Sequence, residues 1–208
     1  PQSATEGLGS PSTPTVGNEV VVLIAAYDPG GDLPVGGVTD NQSNTYTRQQ
    51  QGKFVTGVGG TDVQYAVYTA PITTASGTFT VTVDPTGTTS EPTMWIGEFS
   101  GAHATTPVNV SGVNEDTTAS PTISLTTTAD DCYVVGLMTE ELDNALAIGT
   151  GTTQISEIDD NVSGQCANIA RETTPGAAGS HTLNWTLTGA DADTWACVAV
   201  AIAPVAAA

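Results

Sequence analysis

Few residues in this chain are of a kind that could carry chemistry. It has two histidines, His103 and His181, and three cysteines, Cys132, Cys166 and Cys197, among 208 residues. A Ser-His-Asp relay needs a nucleophile on a strained turn within reach of a base. Gly97-Glu98-Phe99-Ser100-Gly101 has the serine in the wrong place for the Gly-x-Ser-x-Gly elbow. Glycoside hydrolysis needs two facing carboxylates; Glu98, on a Trp-led apolar segment, is the one acid that could point inward, and strand alternation favours a solvent-facing side chain there. The acidic turns are the better ligand candidates. Asp28/Asp32, Asp159/Asp160/Asn161 and Asp191/Asp193 gather hard oxygen donors of the kind calcium takes. Asp159, Asp160 and Asn161 form the first candidate calcium set, although Asp and Asn also favour turns for local hydrogen-bonding reasons.

Sugar recognition relies on exposed aromatic faces. Trp95 and Trp195 lead similar apolar runs and read as core, whereas Trp185 in Asn184-Trp185-Thr186 and Tyr46 are candidates for stacking on a carbohydrate. The cysteines have no CxxC or zinc spacing. They read as buried thiols, or as one Cys132–Cys197 disulfide if the two apolar segments that carry them are neighbours, with the third thiol left free.

Charge narrows the partners. Twenty-two Asp and Glu stand against three cations, Arg48, Lys53 and Arg171, for a formal charge of -19. Such a surface repels nucleic-acid backbones and anionic membranes, whose binding needs clustered Lys and Arg. Charged residues make up only 12% of the chain, so the composition is that of a folded domain with a Thr-, Ser- and Gly-rich surface rather than of an acidic disordered tail. No apolar run is long enough to span a bilayer. Beginning Pro1-Gln2-Ser3, the chain reads as a processed or excised segment, with any address signal lying outside it.

The elements that must position these residues are strands. Val20-Val21-Val22-Leu23-Ile24-Ala25-Ala26 is a continuous apolar run, the pattern of a strand covered on both faces. Phe79-Thr80-Val81-Thr82-Val83 alternates, with one wet face. The second half repeats this grammar: Cys132–Met138 echoes Val20–Tyr27, Gly179–Leu187 echoes Gly77–Val83, and Thr194–Val200 echoes Met94–Phe99. No segment sustains helical periodicity. The expected fold is therefore an all-β, antiparallel, jelly-roll-like β-sandwich with an internal pseudo-repeat. Residues 1–17 are expected to form an extended N-terminal arm or linker, and 18–204 a single β-sandwich domain of two half-units, about 18–101 and 121–204.

Val38-Thr39-Asp40-Asn41-Gln42-Ser43-Asn44-Thr45-Tyr46-Thr47 reads as two β-prone segments around a turn, a hairpin signal. It resembles the Val-Thr-Asp-x-x-Gly-Asn-Thr-Tyr-Thr hairpin of β-sandwich modules found in bacterial secreted multidomain proteins and in phage tail or virion structural proteins. The resemblance takes in Gly17–Val22, Trp95–Gly101 and Trp195–Ile202, and so spans about 17–203. Ser43 stands where that pattern has glycine. The resemblance implies an extracellular or virion structural module and transfers no catalytic residue. The leading expectation is a non-enzymatic structural subunit of an extracellular assembly, a phage tail, fibre or capsid decoration or a cell-surface filament, that pairs with copies of itself or with other subunits. The alternative is a carbohydrate-binding or adhesive module that takes glycans. No cofactor is expected beyond calcium.

Overall fold

The computed structural model describes residues 2–4, 13–27, 35–55, 62–85, 93–140, 145–160, 165–188 and 194–205. Within them the chain is all-β, with no helix. The strands of the first half are β1 (Gln2–Ala4), β2 (Glu19–Tyr27), β3 (Val35–Asp40), β4 (Thr47–Val55), β5 (Asp62–Pro71), β6 (Val81–Pro85) and β7 (Thr93–Phe99). Then follow β8 (Val108–Asp116), β9 (Thr122–Thr126), β10 (Tyr133–Glu140), β11 (Ala145–Ile148), β12 (Thr152–Asp160), β13 (Gln165–Glu172), β14 (Ser180–Thr188) and β15 (Trp195–Ile202).

These strands build four antiparallel sheets, ordered β1-β6-β3, β4-β5-β2-β7, β12-β13-β10-β15-β8 and β11-β14-β9. The sheets stack as four layers with an apolar core in each of the three gaps. Val20, Val22 and Ile24 of β2 meet Val81 and Val83 of β6 in one outer core. Val21, Leu23 and Ala25, on the opposite face of β2, meet Val135 and Leu137 of β10 in the central core. Val134 and Met138, on the other face of β10, meet Leu183, Trp185 and Leu187 of β14 in the second outer core. β2 and β10 are thus covered on both sides, which is why both read as unbroken apolar runs.

Strand order shows how the halves correspond. The pairings β1-β6-β3 and β4-β5-β2-β7 recur as β9-β14-β11 and β12-β13-β10-β15, with the strands in the same order along the chain. Each half closes its own sandwich of three and four strands, and the two larger sheets pack back to back. The expected single sandwich is therefore a pair sharing a central core. β1 supplies the first half with the strand that β9 supplies to the second. Gln2–Ala4 of the expected arm accordingly pair with Val81–Val83 of the same chain, and 5–12 lie outside the described residues.

The expected hairpin at 38–47 is a crossover between sheets. β3 pairs with β6 and β4 with β5, so the intervening residues arch from one layer to the next. Ser43 has φ 65°, the left-handed conformation that glycine adopts at no steric cost. The turn geometry of a glycine is kept here by a serine. The two tryptophans also part company. Trp95 enters the central core and Trp195 an outer one, so they sit on opposite sheet faces and are not equivalent positions.

Candidate functional site

The densest polar constellation lies on the 40–46 arch. Asp40 ends β3, and its carboxylate accepts from the Gln42 N–H at 2.7 Å, the Asn44 N–H at 3.1 Å, Asn44 Nδ2 at 2.9 Å and the Tyr46 hydroxyl at 3.1 Å. The arch's amide side chains then pair with the backbone of the segment joining β5 to β6. Asn44 Oδ1 accepts the N–H groups of Thr73 (2.9 Å) and Thr74 (3.1 Å). Gln42 accepts from the Ser76 N–H at 2.6 Å and donates to the Ser76 carbonyl. Asn41 donates to the Thr78 carbonyl at 2.8 Å and accepts the Thr80 N–H at 3.0 Å. Three side chains stand in for a missing strand, satisfying backbone groups that a crossover would leave unpaired.

Tyr46, a candidate for sugar stacking, is half-buried in this knot. Burial, together with the charge and hydrogen bond of Asp40, holds its hydroxyl well above the usual tyrosine range. Trp185 is 1% exposed, and its Nε1 donates to Asn168 Oδ1 at 2.9 Å. It is a core residue of the second outer sandwich, so its ring face is not open to a sugar. Both of its neighbours along β14, Asn184 and Thr186, turn outward, but the tryptophan itself faces Met138 and Cys197.

Cys132 and Cys197 do not meet. β10 pairs with β15 so that Met138 lies opposite Cys197 and Tyr133 opposite Ile202. Met138 lies six positions along the chain from Cys132, about 20 Å of strand, against the roughly 7 Å limit between the Cα atoms of a disulfide. All three thiols are free and buried. Burial raises Cys132 and lifts Cys197 well above the usual thiol range, which suppresses the reactive thiolate.

Asp159 and Asp160, expected in a loop, close β12 and pair in register with Cys166 and Gln165. Asn161 and the carboxylates of Asp28, Asp32, Asp191 and Asp193 lie outside the described residues. Among the described residues no group of His, Cys, Asp and Glu is arranged to hold a metal ion.

Both histidines are engaged. His103 Nδ1 accepts the Thr106 N–H at 3.2 Å, which puts the ring proton on Nε2. His181 is buried, with Nδ1 2.7 Å from Glu172 Oε2 and Nε2 3.2 Å from the Ala177 carbonyl. Glu98 Oε1 accepts the Thr15 N–H at 2.7 Å and Asn18 Nδ2 at 2.6 Å, tying the segment before β2 to β7.

Three cavities adjoin at one end of the layers. The largest, about 770 Å³, is lined by His103, Asn109, Thr128, Asp130 and Asp131. A second, about 380 Å³, reaches Asn18, Glu19 and His103, and a third, about 350 Å³, reaches Glu98, Asp131 and Tyr133. Glu19 is the unusual group here. It is 2% exposed, and its Oε1 has no hydrogen-bond partner. Burial raises its pKa to about 7, only partly offset by the Thr69 hydroxyl, which favours the carboxylate. No sequence pattern marked it, because an acid that opens an apolar strand looks like an ordinary strand terminus.

These features define a layered antiparallel β protein whose polar side chains brace its own crossovers. Among the described residues no helix is long and apolar enough to cross a membrane. Comparison with family models, with curated proteins and with solved structures returned no match.

Proposed function

We propose that this protein is a non-enzymatic structural subunit of an extracellular assembly, in its most specific form a phage virion component (tail, fibre or capsid decoration) and otherwise a cell-surface filament subunit. One observation carries the reading: the groups with chemical potential are spent on the scaffold. Asp40 and Asn44 knit an arch, Glu98 anchors the segment before β2, and His181 and Glu172 brace each other. The thick four-layer body and the scarcity of Lys and Arg, hence of tryptic sites, suit a particle exposed to the outside.

Light scattering on the intact chain and on a chain lacking residues 1–17 tests this. A subunit assembles with concentration, and trimming collapses the assembly. Because Gln2–Ala4 pair with β6, circular dichroism of the trimmed chain must first show that it is folded. A monomer in both forms overturns the proposal. The adhesive reading then takes its place, with the cavity of His103, Asn109 and Asp130 as the site for glycan screening.

A further inference from the structure

The correspondence between the halves leaves one strand over. β8 flanks β15, whereas β7, the counterpart of β15, has no strand on its outer edge among the described residues. The layering repeats this asymmetry. Across the central core β8 packs over β4, β15 over β5 and β10 over β2. Among the described residues five strands therefore lie over four, and β12 projects past β7 with no strand of the smaller sheet beneath it. An approximate two-fold through the β2/β10 pair exchanges β4 with β12 and β7 with β15. It maps β8 onto the empty position beside β7.

That edge also lacks the devices that keep sheet edges from pairing. β4 carries a register shift between Arg48 and Gln50, together with Arg48 and Lys53. β12 carries a shift between Gln154 and Ser156 and the exposed Glu157. β8 ends in Glu115 and Asp116. β7 runs in unbroken register with β2, has Met94–Gly97 buried, and carries one charge, Glu98, already held by Thr15 and Asn18.

We infer that the slot between the edge of β7 and the overhang of β12 accepts one extended peptide strand from a partner chain, by strand addition. A second copy of this protein pairing through its own β7 is sterically wrong. Antiparallel edge pairing has its two-fold perpendicular to the sheet, so both larger sheets would lie on one side and each β12 would run into its partner. The occupant is a lone segment. β7 spans seven residues, about 23 Å of ladder. β8 is the template for its side chains: Val108, Ser111 and Val113 toward the central core, Val110 and Gly112 toward the outer one. Ser156, in register with Ile169 of the central core, lies on the slot side of β12. With a net charge of -19 on the protein, the entering segment is uncharged or basic, with β-branched and small residues alternating as they do in β8.

The test uses the intact protein and a synthetic nonapeptide with the sequence of residues 108–116 carrying Glu115→Lys and Asp116→Lys. Amide hydrogen exchange should find the edge-facing amides of β7 fast in the free protein and protected when the peptide is added, with saturable one-to-one binding. Ser156→Trp, which fills the space under β12, should weaken binding by about ten-fold or more. Ser156→Lys, which repels the basic peptide, should weaken it too, and Ser156→Ala should bind as the wild type does. Slow exchange at β7 without peptide, no saturation at millimolar peptide, or unchanged binding by a folded Ser156→Lys protein would each overturn the inference. So would self-association that protects β7, because the occupant would then be a second copy.

Discussion

Replacing Asn44 by alanine tests whether side-chain amides hold the crossover from β3 to β4. Asn44 is 8% exposed and its side chain makes four close hydrogen bonds, accepting from the N–H and hydroxyl of Thr73 and the N–H of Thr74 and donating to Asp40 Oδ2. Each such bond contributes about 0.5–1.5 kcal/mol net, and a stranded buried partner costs more. Thr73 and Thr74 are exposed, so water recovers part of what their N–H groups lose. Asn44→Ala should therefore cost about 2–3 kcal/mol, lowering Tm by roughly 5–10 °C in a protein of this size. Urea unfolding and calorimetry at pH 7 measure both. Asn44→Asp sharpens the argument. It keeps the acceptor but sets a second carboxylate against Asp40, so it should also destabilise at pH 7 and recover part of the loss near pH 4, as the introduced aspartate begins to protonate. An Asn44→Ala protein within about 0.5 kcal/mol of wild type would refute the arch as a stabilising element.

Glu19 should make stability fall as pH rises. Its folded pKa of about 7 lies above the usual 4.5, so the unfolded chain ionises first. Stability is unaffected below about pH 4.5, declines from there to about pH 7, and stays reduced above, by up to about 3 kcal/mol. Glu19→Gln should flatten that decline in urea midpoints measured from pH 4 to 8. Gly136 lies where a Cβ would meet Leu183 Cδ1 at 2.8 Å and the Ala199 Cβ and Val198 carbonyl at 2.9 Å; Gly136→Ala should cost about 1–3 kcal/mol by thermal unfolding, with no loss if the second outer core were loosely packed. With three buried free thiols, the native protein should react slowly with a thiol reagent and yield three equivalents once denatured; a titre of one would restore a disulfide.

Element type was legible where burial is two-sided. Val20–Ala26 and the Val134–Met138 stretch announced central strands because both faces must be apolar. β4, β8 and β12 were not read as strands of their own, and each lies at a sheet edge, where one face and one ladder are wet and the sequence has no reason to alternate strongly. The arch shows the same limit from another side. Asp40 to Tyr46 has the composition of a turn, and composition does not say whether a turn returns the chain to its own sheet or carries it into the next.

The sequence by itself determined the all-β class, the acidic composition and the scarcity of reactive groups. All of these follow from residue type and short-range period. Tertiary structure alone decided which strand lies beside which. That pairing placed Cys132 far from Cys197, turned Trp95 and Trp195 to opposite faces, buried Trp185 against Asn168 and put β7 at a sheet edge among the described residues. The physical reason is that a strand's side chains alternate with period two. The pattern records that a face is buried but not what buries it, and a shift of one residue in register exchanges the faces.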